Sequence, residues 1–333
     1  MKRPGCVISL LFLLVCLSMF GNLVLLGLLG AKGHSVVAAA QVVRERPFEE
    51  VLERGGKLAG AKVAVIPVTG IIAANESGSL GQCIVEDFRR AIEQARGDST
   101  VKAVVVSMDS PGGELTASDV LYHQIKGLAA VKPVVVYFSS LGASGAYYAA
   151  CGGTEIWCHE TTFTGSIGVI ISTLNYRKLF GKVGLEAVVF KSGEFKDMLN
   201  GARELTEAER EYVQGLVMQS YRRFLRIVSK ARGLDENELR NGVADGRILT
   251  GEDALAARLV DKLGYVEEAY DRAAELAGAQ GAQVVKYRKR MSFGDLFKFF
   301  GQMHSNSVKL DVGLPELELK PGRAYLLPAF FAP

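Results

Sequence analysis

Apolar residues along this chain fall mostly in short continuous runs. "AKVAVIPVTGII" (Ala61 to Ile72), "VKAVVVSMD" (Val101 to Asp109), "KPVVVYF" (Lys132 to Phe138), "EIWC" (Glu155 to Cys158), "IGVIIS" (Ile167 to Ser172) and "EAVVF" (Glu186 to Phe190) are the main ones. Runs of this kind, rich in β-branched residues and without polar alternation, predict strands buried on both faces of a sheet. Between several of them the period becomes helical. "SLGQCIVEDFRRAIEQAR" places Ile84, Phe88 and Ile92 on one face, and "LTASDVLYHQIKGLA" does the same with Val120, Leu121, Ile125 and Leu128. Strand alternating with helix predicts an α/β fold with right-handed crossovers.

The longest predicted helix has a marked start and stop. Thr206 and Glu209 have capping-box spacing, each side chain able to satisfy an amide left over by the first turn. Val213, Leu216, Val217, Ser220, Phe224 and Ile227 form its stripe, "RRFLR" its basic solvent face, and Gly233 its end. A further helix is expected from about Glu252 to Leu263, stopping at Gly264. Beyond about Arg288 come a short amphipathic helix ("FGDLFKFFGQ") and an extended tail ending "AYLLPAFFAP".

The start of the chain departs from this pattern. After Lys2 and Arg3, "CVISLLFLLVCLSMFGNLVLLGLLGA" (Cys6 to Ala31) carries no charge, and about 20 apolar residues span a bilayer as a helix. A cleaved signal peptide is the competing reading, with small residues at Ala38 to Ala40. Signal-peptide apolar regions run only about 7–15 residues, so the length favours an uncleaved anchor. Lys2 and Arg3 precede the span and Lys32 is the only cation closely following, which places the N-terminus in the cytoplasm and the rest outside. The expected organisation is an anchor over 1–31, a stalk over 32–58, a folded domain over 59–287 and an amphipathic segment with tail over 288–333.

Charged residues make up 23% of the 333, and the net charge of +3 gives no footprint for nucleic acid. Of five cysteines, Cys6 and Cys16 lie in the apolar span. Cys83, Cys151 and Cys158 show no CxxC spacing, so free buried thiols are expected over a Cys151–Cys158 bridge. Four scattered histidines form no HExxH pattern, and no metal site is inferred.

Candidate chemistry centres on "FSSLGASGAYYAACGG" (Phe138 to Gly153). Ser144 follows an apolar run and precedes a helix start, where unpaired amides and the helix dipole favour an anion. Close packing of small residues is the plain alternative. Gly142-Ala143-Ser144-Gly145-Ala146 lacks the last glycine of a GxSxG nucleophile elbow. The "DSPGG" turn (Asp109 to Gly113) follows a strand, and the Gly113 and Gly145 amides are candidate oxyanion donors. A serine nucleophile also needs a base. His159 has no partner pattern around it, whereas "FKSGEFKDML" supplies Lys191 and Lys196. Burial must lower an aqueous lysine's pKa by about 3 units, about 4 kcal/mol, to make a base near neutrality. An exposed lysine neutralised by Asp197 is the alternative.

"DSPGG", "ASGAYYAA" (Ala143 to Ala150), "FTGSIGVI" (Phe163 to Ile170) and "SGEFKD" (Ser192 to Asp197), in this order, resemble the signal peptide peptidase A family in its short, single-repeat bacterial form. That family is a group of serine proteases in the Clp protease/crotonase superfamily. The match runs from roughly Ala61 to Gly264. The resemblance implies a spiral of repeated β-β-α units, with Ser144 as nucleophile and Lys196 as general base. It further implies the Gly113 and Gly145 amides as oxyanion hole and Ser166 as the residue orienting the lysine. No cofactor, metal or nucleotide is implied.

The resemblance further implies as partners apolar peptides, foremost signal peptides left in the membrane, and further copies of the chain in a ring in which one site can draw on residues of two subunits. The expected location is the bacterial inner membrane with the catalytic domain extracytoplasmic. Three departures stand out: Ala146 replaces a family glycine, Arg258 stands in a "GLVD" motif, and the residues after about Tyr287 match no family motif. Rival readings are a same-dyad protease of another apolar membrane substrate, an inactive ring-forming scaffold, and an acyl-CoA-acting crotonase. The apolar tail suits lying in the groove of its own or a neighbouring subunit.

Overall fold

The computed structural model describes residues 17–20, 22, 48–74 and 84–289, together with the backbone of 325–326. The chain divides into two units, Met1–Arg46 and Pro47–Pro333. In the first, residues 17–20 and 22 are helical, and the rest of the expected span lies outside the described residues. Among the described residues no helix is long and apolar enough to cross a membrane.

The second unit is a mixed α/β fold. Its first half contains β1 (Phe48–Arg54), β2 (Lys62–Thr69), α1 (Ile84–Gly97), β3 (Val101–Ser110), β4 (Gly113–Glu114), α2 (Leu115–Ala129), β5 (Val134–Ala143) and α3 (Gly145–Ala150). Then come β6 (Glu155–Cys158), β7 (Phe163–Gly165), α4 (Arg177–Lys182), a 3-10 turn (Glu194–Asp197) and α5 (Glu207–Arg232). The remainder is α6 (Glu236–Asn241), β8 (Ile248–Leu249), α7 (Gly251–Ala256), β9 (Lys262–Leu263), α8 (Val266–Leu276), β10 (Gln283–Lys289) and β11 (Tyr325–Leu326).

The main sheet runs β1-β10-β2-β3-β5-β6-β9, with β7 beside the end of β5 and β8 beside β7. Its centre, β10-β2-β3-β5-β6-β9, is parallel, while β1 pairs antiparallel with β10 and β8 with β7. Alternate strand residues enter two separate cores. Val104, Val106 and Val134 pack with Phe88, Ile92, Leu121 and Ile125 of α1 and α2. Ala103, Val105, Val135 and Tyr137 pack with Ala269, Tyr270 and Ala273 of α8. Burial on both faces explains why the strand runs show no polar alternation, each full Val, Leu or Ile side chain contributing about 1.5–3 kcal/mol.

The capping box forms as expected: the Glu209 amide donates to Thr206 Oγ1 at 3.2 Å, and Glu209 Oε2 accepts from the Thr206 amide at 2.9 Å. Gly233 closes α5 in the left-handed conformation at φ 63°.

Other expectations need correction. Residues 48–54, assigned to a stalk, are an edge strand of the sheet held by β10, so the stalk does not reach residue 58. "IGVIIS" forms no strand; the strand lies earlier, at Phe163–Gly165. "EAVVF" is irregular and exposed, with Phe190 94% accessible, because no strand among the described residues pairs with it. The helix expected to reach Leu263 ends at Ala256, where Arg258 turns into the left-handed region at φ 58°. The amphipathic segment expected after Arg288 lies outside the described residues.

Candidate active site

Strand β5 delivers Ser144 and α3 begins immediately after it. The residue sits at φ 53°, ψ −114°, a conformation that costs a non-glycine residue about 1–3 kcal/mol and persists only where surroundings enforce it. They do so here. The Ser144 amide donates to the Gly165 carbonyl and its carbonyl accepts from the Tyr148 amide, both at 2.8 Å. Thr164 Oγ1 donates to the Gly142 carbonyl at 2.7 Å, fixing the strand two residues upstream. Ser144 is fully buried, and its Oγ has no hydrogen-bond partner among the described residues. The Gly145 amide, first in α3, has no acceptor among the described residues.

The DSPGG turn lies on the neighbouring strand. Ser110 pairs in register with Gly142, so the turn leaves β3 beside the end of β5. Gly112 takes φ 99°, and its amide donates to the buried Ser110 Oγ at 3.1 Å. Its carbonyl accepts from the Ile72 amide at 2.8 Å, and Glu114 returns a bond to the Ile72 carbonyl at 2.7 Å. A Cβ on Gly113 would lie 2.0 Å from the Ile72 carbonyl oxygen, so this position has room for glycine alone. β11 pairs antiparallel with the same strand, Leu326 opposite Gly113 and Tyr325 opposite Glu114.

Ser166 follows Gly165 directly, at φ 49° and 3% exposed, with its amide bonded to the Arg247 carbonyl at 2.7 Å. The sheet thus gathers Ser144, Gly145, Gly113 and Ser166 at the ends of adjacent strands. Lys196 makes no bond to any of them. It lies exposed on the 3-10 turn Glu194–Asp197, and no bond joins it to Ser144 Oγ. Asp197 does not neutralise it either: that carboxylate is taken by Lys191 and Arg203. His159 is apart from the serine, its Nδ1 2.9 Å from Thr161 Oγ1 and its ring against Tyr265.

Residues 126–280 match the model of peptidase family S49. The chain is 36% identical over 244 residues to "Putative signal peptide peptidase SppA" of Enterococcus faecium, a match covering 72% of this chain and 70% of that protein. It is 38% identical over 217 residues to a "Putative protease" of a Synechocystis species, covering 65% and 75%. The chain belongs to peptidase family S49. It is also 31% identical over 216 residues to Protease 4 of Haemophilus influenzae, covering 65% of this chain but 35% of that longer protein. As an S49 member it is a serine peptidase, a hydrolase.

Several residues that shape this S49 site carry no sequence signal of their own. Ser110 and Thr164 bond to backbone atoms, and Arg203 bridges side chains six residues to either side of it, which residue type alone does not reveal. Cys151 and Cys158 are free and buried, and burial pushes both thiols up to about 12, so neither is a thiolate nucleophile near neutrality.

Proposed function

We propose that this chain is a membrane-anchored serine endopeptidase with a Ser144–Lys196 dyad that cleaves apolar membrane peptides, foremost signal peptides released from secreted proteins. The observation that carries the reading is the buried Ser144 Oγ on an enforced strained turn beside the Gly145 amide, both without a partner among the described residues. A hydroxyl without a partner in a buried site is costly unless a ligand or base completes it.

In this reading Ser144 Oγ attacks the scissile carbonyl and its proton passes to Lys196 Nζ. The carbonyl oxygen becomes an oxyanion held by the Gly113 and Gly145 amides, each such donor typically worth about 3 kcal/mol. Collapse breaks the C–N bond, and Lys196 returns the proton to the leaving amine. Water, deprotonated by the same lysine, then hydrolyses the acyl-serine ester. Ser166 lies against the nucleophile's turn and orients the lysine.

Because Lys196 is exposed and unbonded to Ser144 within its own chain, a second copy in a ring supplies it. The apolar exposure of Leu185, Val188 and Phe190 on the same segment supports burial there by a neighbour. That burial would also desolvate the lysine, as a base requires. The expected fold is the β-β-α spiral of the Clp/crotonase type, the apolar start of the chain is its inner-membrane anchor, and the catalytic domain is extracytoplasmic. The antiparallel seat of residues 325–326 on β4 supports extended peptides docking along Gly113–Glu114.

The test is hydrolysis of a fluorogenic apolar peptide by the full-length chain in detergent, beside Ser144→Ala, Lys196→Ala and His159→Ala. Loss in the first two with retention in the third is expected. Loss with His159 instead would replace the dyad by a histidine-based site, and no activity in any form would leave a scaffold.

A further inference from the structure

A base that must lose its proton is poorly served by a carboxylate as its next residue, and Lys196 is followed by Asp197. An unengaged carboxylate within about 4–6 Å holds a lysine in the charged form. Here it is fully engaged. Lys191 Nζ donates to Asp197 Oδ1 at 2.8 Å and to the Glu194 carbonyl at 2.9 Å. Arg203 forks onto the same group, Nε to Oδ2 at 2.8 Å and Nη2 to Oδ1 at 2.7 Å, with Nη2 also reaching the Asp197 carbonyl at 3.1 Å. Bidentate guanidinium–carboxylate pairs of this kind are among the stronger and more directional ion pairs.

Arg203 is itself anchored. Its Nη1 donates to Glu209 Oε2 at 2.8 Å and to the Glu204 carbonyl at 2.9 Å, and the Glu209 side chain is 1% exposed. Glu209 belongs to the capping box of α5, so the lysine-bearing turn is tied to a helix N-terminus through one guanidinium. The charged and titratable groups of the segments that this network joins are Lys191, Glu194 and Asp197 on the lysine's own segment, Arg203 and Glu204 on the following loop, and Glu207, Glu209, Arg210 and Tyr212 on α5. Glu204 is paired with Arg177 and Glu207 with Arg210, and Phe195 packs on Tyr212. Lys196 makes no ion pair among the described residues.

We infer that Arg203, helped by Lys191, is a positioning residue that occupies the Asp197 carboxylate and so leaves Lys196 without a counter-ion among the described residues of its own chain. The inference rests on the reading of Lys196 as the base. Asp197 is held well below the ordinary carboxylate range by Arg203 first and Lys191 second, which accords with a carboxylate committed to these two cations. The arrangement needs Arg rather than Lys at 203, because one group must bridge Asp197, its carbonyl and Glu209 at once.

The experiment is the pH dependence of kcat for the full-length chain in detergent on a fluorogenic apolar peptide. Arg203→Gln is expected to raise the acid-side midpoint by about one pH unit, about a tenfold loss on that limb. The alkaline plateau and KM should stay within about threefold. Adding Asp197→Asn to Arg203→Gln removes the released carboxylate and is expected to return the midpoint to that of the wild type. Lys191→Met, a change at an exposed side chain, should shift the midpoint in the same direction by less, and it decides the matter if Arg203→Gln does not fold. A lowered plateau with an unmoved midpoint, or no return in the double variant, would make Arg203 a structural brace only and overturn the inference. An active Lys196→Ala would instead remove the base assignment itself, whatever the Arg203 variants do.

Discussion

The Ser144 amide donates to the Gly165 carbonyl at 2.8 Å, joining two turns that both run through the left-handed half of backbone space, φ 53° at Ser144 and 76° at Gly165. The strain at Ser144 is therefore enforced from across the sheet, and it gives a stability signature separate from chemistry. Ser144→Gly relieves the positive φ and Ser144→Ala does not, a difference of about 1 kcal/mol. Both variants should lose peptide hydrolysis, while the glycine variant melts about 2–4 °C above the alanine variant. Equal melting temperatures would show that the turn stores no strain.

The Ser110 hydroxyl is the acceptor for the Gly112 amide in a fully buried position. Ser110→Ala leaves that amide unpaired, at a cost of about 1–3 kcal/mol. It also loosens the turn that presents Gly113. The expected result is a lower denaturation midpoint together with a kcat reduced more than tenfold and KM changed less than threefold. A lost stability with unchanged kcat would separate the turn from the oxyanion.

Much of the sheet was legible because strands buried on both faces leave continuous apolar runs, and the central strands fall where those runs lie. β1 was not legible, since "FEEVLER" is an edge strand with polar residues facing water, and its partner β10 comes more than two hundred residues later. "EAVVF" shows the opposite failure: β-branched residues signal a strand only where another strand of the chain stands ready to pair. At the candidate site, motifs on strand ends were visible as glycine and serine clusters. The Thr164 bond was not, because it depends on the register of two strands. The local Ser110 and Arg203 bonds, two and six residues in reach, were not either, because they depend on how the turn is folded rather than on residue type.

Arg258 stands at φ 58° just after α7 and its side chain is exposed. The contact that matters there is made by its backbone carbonyl, which accepts from Arg232 Nε at 2.8 Å and survives any side-chain change. Arg258→Gly should therefore stabilise the fold by about 1 kcal/mol, since glycine takes this conformation without steric cost. The check is a melting temperature raised by about 2–4 °C with unaltered hydrolysis. A lowered value would mean that glycine's gain in unfolded-state entropy outweighs the relieved strain.

Glu209 is lowered from 4.5 to about 2, first by the Arg203 guanidinium and then by the Thr206 amide. A carboxylate depressed on folding contributes stability above its unfolded value and loses that contribution as pH falls through the folded one. The window is thus from about 4.5 down to about 2. Glu209→Gln keeps an amide oxygen for the Thr206 N–H but carries no charge for Arg203. At pH 7 the variant should melt below the wild type, and the gap should narrow steadily between pH 4.5 and pH 2. A gap independent of pH would assign the loss to packing rather than to the ion pair.

Leu326 pairs with Gly113 across the β4 edge, the edge on which an extended substrate would add as an antiparallel strand. Two strands cannot occupy one edge, so the tail competes with the peptide in proportion to the time it spends there. A competitor of this kind scales the apparent KM by the inverse of the unoccupied fraction and leaves kcat alone. Removing Leu326 to Pro333 should therefore lower KM for a fluorogenic apolar peptide several-fold at constant kcat. Intact mass of the incubated wild-type chain supplies a second reading, because a tail that occupies the substrate's edge is itself open to cleavage. An unchanged KM together with an unshortened chain would show that the tail leaves the edge to the substrate.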